Sequence, residues 1–116
     1  MLVRREALEA VGPLDEGYFL HCEDLDWCER FRRAGFKVLF VPGATAVHDK
    51  GASSRSRPVR VLWHLHRGMV RFYRKFFREE YPLPLFWLVL GAVWLRFGLL
   101  AGAVVVRRVA GRVRGR

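Results

Sequence analysis

The sequence predicts an α/β piece followed by a helical, membrane-associated rear. Three observations lead there. In the front part, short helical patterns alternate with extended apolar runs. The charge changes sign along the chain: residues 1–54 carry seven Lys/Arg against nine Asp/Glu, or −2, whereas residues 55–116 carry fourteen against two, or +12. The rear then joins a basic amphipathic pattern to an apolar run long enough for a membrane helix. With 116 residues and a formal charge of +10, the chain is at most one domain. Its parts divide at 1–54, 55–82 and 83–116.

The first element is a short helix in "RREALEAVG", where Ala7, Leu8 and Val11 keep helical spacing and Gly12 stops it. "GPLDEG" is a turn, with Pro13 setting φ and Asp15 and Gly17 as turn formers. After the brief apolar "YFL", a second helix starts near Glu23 or Asp24. Leu25, Cys28, Phe31 and Trp27 form its apolar side, and Gly35 caps its C-terminus. Acids in its first turn and Arg30, Arg32 and Arg33 in its later turns complement the helix dipole. "FKVLFVP" is expected as a buried strand closed by Pro42, and "ATAVH" as a second short extended piece. "DKGASSRSRP" is a linker.

Beyond it, Val59, Leu62, Trp63, His66, Met69, Val70, Tyr73, Phe76 and Phe77 recur at i, i+3, i+4, i+7, and arginines take the opposite side. Such a helix suits a membrane interface, so Val59–Tyr81 is expected to lie along the membrane face. Pro82 and Pro84 interrupt the helical ladder. Leu83–Val106 then runs for 24 residues with Arg96 as its one charge, against the ~20 that a span needs. Arg96 opposes a simple span by roughly 2.5–3.5 kcal/mol. Two geometries follow: a true span, or a re-entrant hairpin that returns both ends to one side. The Arg-rich tail is expected to be cytoplasmic by the positive-inside rule. The basic rear is not read as a nucleic-acid site, because its aromatics lie on the apolar stripe, away from the arginines. Cys22 and Cys28 lack a CxxC partner, which argues against a zinc knuckle or disulfide framework. "LVRREALEAVG" lacks the apolar core of a secretory signal.

Glu23, Asp24 and Asp26 form the densest cluster of acids. One explanation is structural: carboxylates cap helices and favour the positive end of the dipole, and Asp26 and Arg30 stand at i, i+4 for an ordinary pair. On that reading the chain is a small stand-alone basic membrane protein. The other explanation rests on an ordered series: Arg4 and Arg5, "GPLDEGYF", "EDLDWCER", Gly35, "VLFVP", His48 and "GAS". This series, over about fifty residues, resembles the C-terminal part of the catalytic domain in family-2 inverting glycosyltransferases of GT-A type, most like the rhamnosyltransferase-like bacterial members. Leu14 departs from the Phe that family often carries, and "LHC" precedes the acids where an aromatic or small residue is usual.

The resemblance implies transfer of a sugar from a nucleotide-sugar donor to the hydroxyl of a glycan or lipid-linked acceptor, with inversion, in cell-envelope polysaccharide or glycolipid synthesis. It implies Asp24 as general base, with Glu23, Asp26 and Arg30 in support. It also implies a divalent metal, Mg or Mn, in the intact enzyme, with His48 as a possible ligand. An anionic membrane is the expected partner and the cytoplasmic face of the cell membrane the expected location. Family members place a nucleotide-binding half with an Asp-x-Asp motif before this region. "DLD" is the one such pattern here and belongs to the acidic helix, so a truncated chain without transfer activity or tight nucleotide-sugar binding of its own is expected.

Overall fold

The structure, a computed structural model, describes residues 1–43, 45, 47 and 57–114. It holds four helices: α1 (Arg5–Val11), α2 (Glu23–Arg33), α3 (Pro58–Phe77) and α4 (Leu83–Arg114). They stack in three layers, with α1 packed on α2, α2 on one side of α3, and α4 on the other.

The first two helices end where the sequence says they should, whereas α3 stops at Phe77, short of Tyr81, and α4 runs through the Arg-rich tail to Arg114. Gly12 leaves α1 at φ 78° while its N–H still reaches the Leu8 carbonyl. α2 closes in a Schellman motif: Gly35 adopts φ 85°, its N–H bonds Arg32 O at 3.1 Å, and the Phe36 N–H bonds Phe31 O at 2.9 Å. The Phe31 and Phe36 rings meet edge to face at 6.3 Å, which supplies the apolar contact that accompanies this cap. Pro58 opens α3, where a missing N–H costs nothing. Pro84, in the first turn of α4, is tolerated for the same reason.

The α/β expectation fails. Among the described residues there is no strand and no sheet. Phe36–Val41, expected as a buried strand, belongs to no regular element, and Val38, Leu39, Phe40 and Val41 are exposed. A strand exists only as one side of a hydrogen-bonded ladder, and no second strand among the described residues runs beside it. β-Propensity without a partner leaves only an exposed apolar segment. Leu25 also departs from its expected place on the buried side of α2, being 53% exposed. His48, "ATAVH" in part, and the linker up to Ser56 lie outside the described residues, while the linker's Pro58 belongs to α3.

The stripe of α3 predicted to face lipid faces α4 instead. Val70, Phe86 and Leu90 form a buried cluster joined by Tyr73 and Val93. Trp63 packs on Trp94 at 5.1 Å and Tyr73 stacks on Phe86 at 5.2 Å. An apolar stripe and an apolar helix joined by a short turn cover each other at little entropic cost. α4 is continuous from Leu83 to Arg114, so the chain does not break and return as a re-entrant hairpin. Arg96 finds a partner across this interface. His66 is fully buried; its Nδ1 lies 2.7 Å from Leu62 O and its Nε2 3.1 Å from Arg96 Nη1. One tautomer satisfies both contacts: Nδ1–H donates to the carbonyl and Nε2 accepts from the guanidinium.

Candidate functional site

The site lies where the 13–22 turn and the start of α2 meet the middle of α3. Asp15 organises the turn. Its Oδ1 accepts the Gly17 N–H at 2.8 Å, an Asx turn, and its carboxylate also takes Arg71 Nη2 at 3.0 Å and Lys75 Nζ at 2.8 Å. Lys75 first, then the Gly17 amide and Arg71, hold the Asp15 carboxyl well below the usual range. The turn is thereby tied to α3, fifty-six residues away in sequence.

His21 and Cys22 follow with φ 68° and 70°. Two successive non-glycine residues in the left-handed region cost roughly 1–3 kcal/mol each, so packing must hold them there. Gly68 makes that possible: a β-carbon at Gly68 would stand 3.0 Å from the His21 carbonyl oxygen, so only glycine lets α3 come so close. The reversal aims the first turn of α2. Burial, then the neighbouring Asp24 and Glu23 charges, pushes the Cys22 thiol up.

The three acids in the first turn of α2 part company here. Asp26 is fully buried. It accepts the Tyr18 hydroxyl at 3.1 Å, Arg30 Nε at 2.8 Å and Lys75 Nζ at 2.6 Å. Burial, reinforced by Asp26, pushes the Tyr18 hydroxyl well above its ordinary value. Arg30 goes on to donate to Val11 O at 2.8 Å and Pro13 O at 2.6 Å, which pins the end of α1; Trp27 Nε1 donates to Gly12 O at 2.9 Å beside it. Glu23 is half-buried, and its Oε2 is buried with no hydrogen-bond partner. Asp24 is exposed, and its Oδ1 accepts the Leu25 N–H at 2.9 Å. The expected Asp26–Arg30 pair is therefore present. Tyr18, Lys75, Asp15 and Arg71 were missed: only the long-range approach of α3 brings them in, and a cation on a helix's polar face carries no local signal of its partner.

Further along α2, Arg33 donates to Phe76 O and Glu80 Oε1, both at 2.7 Å. Glu29 sits between Arg32 and Arg33 at 2.7 and 2.8 Å. Arg32 first, with Arg33 adding to it, lowers its pKa from 4.5 to about 2. A carboxylate with a depressed folded-state value stabilises the fold above its unfolded pKa and loses that contribution as pH falls. The fold is therefore expected to lose stability between about pH 4.5 and 2 as Glu29 protonates and frees Arg33, which also bonds Phe76 O of α3, Asp15 adding to the loss at the acid end. A denaturant midpoint measured across this window checks it; a midpoint independent of pH from 5 to 2 contradicts it.

Among the described residues no group of three or more His, Cys, Asp or Glu is placed to hold a metal ion. His48, the candidate ligand, lies outside those residues.

The chain is similar to parts of known proteins. The chain is 34% identical over 100 residues to the N-acetylglucosaminyl-diphospho-decaprenol L-rhamnosyltransferase of Mycobacterium tuberculosis, covering 86% of this chain and 33% of that protein. It is 39% identical over 66 residues to rhamnosyltransferase WbbL of Escherichia coli, covering 56% and 25%. It is 32% identical over 73 residues to dTDP-rhamnosyl transferase RfbF of Shigella flexneri, covering 63% and 24%. No protein-family model matches the chain, and no solved structure matches it. The chain spans a third or less of the length of these relatives. Over the matched residues the chain is thus rhamnosyltransferase-like, similar to a part of each of these three bacterial enzymes.

Proposed function

We propose that the chain is the acceptor-side part of an inverting glycosyltransferase of the family-2 kind. It would move a rhamnosyl group from a nucleotide-sugar to a hydroxyl of a lipid-linked or glycan acceptor at the cytoplasmic face of the membrane, in cell-envelope synthesis. Asp24 is the general base. The observation that carries this is the division of labour among the acids: Asp26 is buried against two cations, whereas Asp24 is exposed at the head of α2.

In the reaction, the acceptor oxygen attacks the anomeric carbon from the face opposite the nucleotide. The new C–O bond forms as the bond to the nucleotide's phosphate oxygen breaks, and the nucleoside diphosphate leaves. The acceptor's proton passes to the Asp24 carboxylate, which must lie within about 3 Å of that hydroxyl. Asp26 and Arg30 are positioning residues: they lock α2 to the turn and to α3, so that the first turn of α2 stays where the acceptor arrives.

The donor site is expected in the part of the relatives that this chain does not match. The test is therefore a chimera in which this chain replaces the matching third of the Mycobacterium tuberculosis relative. Rhamnosyl transfer to a lipid-linked acceptor is expected in membranes carrying the chimera, and none in membranes carrying this chain alone. A folded, membrane-bound chimera without transfer, beside an active parent, would remove the reading.

A further inference from the structure

α4 is long and apolar enough to cross a membrane, yet its surroundings point to a different placement. We infer that α4 lies flat in the headgroup–acyl boundary of an anionic bilayer, with its face opposite α3 toward the acyl chains. The inference rests on the membrane-associated reading above and decides its geometry.

The layering comes first. Along α4, contacts with α3 run from Phe86, stacked on Tyr73, to Phe97, packed on Trp63 and His66. α3 therefore accompanies the stretch of α4 that would have to cross. The other side of α3 carries Arg71 and Lys75, paired with Asp15 and Asp26 of the front. A bilayer slab holding Phe86–Phe97 upright would take α3 and these charges into hydrocarbon, where charged side chains are strongly disfavoured. Laid flat, α4 leaves α3 and the front on the water side.

Charge placement along α4 agrees. At about 100° per residue, Leu88, Ala92, Leu95, Leu99, Val106 and Val109 share the half of the helix that faces away from buried Phe86 and Leu90. Leu88, Leu95, Leu99 and Val106 are 66–69% exposed. Arg107 and Arg108 fall in the other half, and Arg96 lies at the border between the halves, where it bonds His66 of α3. Apart from Arg96 at its border, the outward half of the helix is thus free of charge from Leu83 to Gly111, well beyond its contacts with α3. A spanning helix needs no such division in a tail that emerges into water; a helix lying in the interface does. The 32 residues extend about 48 Å, longer than the roughly 30 Å hydrocarbon core. Residues 55–116 carry a formal charge of +12, which favours an anionic surface over a zwitterionic one.

The test uses the full chain on vesicles of phosphatidylcholine and phosphatidylglycerol. Oriented circular dichroism of the unmodified chain on stacked bilayers is expected to place the helix axes in the membrane plane. Spin labels at Leu88, Leu95, Leu99 and Val106, with Cys22 and Cys28 replaced by alanine, are expected at one shallow depth, within about 5 Å of each other. In a crossing helix those positions would be spread over about 27 Å. Leu95→Glu is expected to weaken vesicle partitioning about tenfold. Axes along the bilayer normal, a depth spread of the crossing kind, or unchanged partitioning of Leu95→Glu would each overturn the flat placement while leaving membrane association intact. Failure of the chain to co-sediment with the vesicles at low salt would overturn both.

Discussion

Asp24→Asn, made in the active chimera, is expected to lower kcat for rhamnosyl transfer by about 10²–10⁴-fold, the usual contribution of a positioned general base. The amide keeps the size and the hydrogen bond to the Leu25 N–H but cannot accept the acceptor's proton. The side chain is exposed, so stability should change by no more than about 0.5 kcal/mol. KM for the donor should stay within about threefold, because a base acts in the transition state and not in ground-state binding. Steady-state kinetics with both substrates varied, beside a denaturation curve, separate these effects. Near-normal kcat would remove Asp24 from the chemistry. An equal loss with Glu23→Gln would move the assignment to the neighbouring carboxylate.

Asp26→Ala is expected to damage the fold. The substitution removes the acceptor of three groups at once: Tyr18 Oη, Arg30 Nε and Lys75 Nζ. Breaking a buried pair by removing one partner costs about 3–5 kcal/mol. Arg30 and Lys75 are 21% and 34% exposed, so water relieves part of their loss, and about 3 kcal/mol is the expected figure. That is a large fraction of the 5–15 kcal/mol of an ordinary domain, and the front has few buried side chains beyond Ala7, Tyr18, Cys22 and Phe31 to offset it. Hydrogen exchange should show α1 and α2 losing protection while the α3–α4 pair keeps its own, since the latter rests on Val70, Phe86 and Leu90. If Asp26→Ala stays within about 0.5 kcal/mol of the parent by urea denaturation, the network is not what holds the front.

These two neighbouring acids show what a sequence can and cannot say. All three acids of the cluster were legible as a helix start, and the Asp26–Arg30 spacing was legible as an i, i+4 pair. Which acid would be buried was not. That choice depends on Lys75 and Tyr18, and Lys75 is forty-nine residues from Asp26. Only the packing of α2 on α3 brings it within reach. The strain at His21 and Cys22 was equally hidden: histidine is only enriched in, not diagnostic of, the left-handed region and cysteine gives no signal for it, and Gly68, which packs against the reversal, lies in another helix.

By itself the sequence determined the first three helical segments, the caps at Gly12 and Gly35, the change of charge sign, and the likeness to the rhamnosyltransferases. These are local properties: spacing, cap chemistry and composition act within a few residues. Tertiary structure decided the rest. The run 36–41 has strand-forming residues, but a ladder needs a neighbour and none is present among the described residues. The apolar stripe of α3 has the pattern of a lipid-facing surface, but α4 covers it because two apolar faces joined by a short turn remove each other from water first. Periodicity tells which face must be hidden. Only the folded chain shows what hides it.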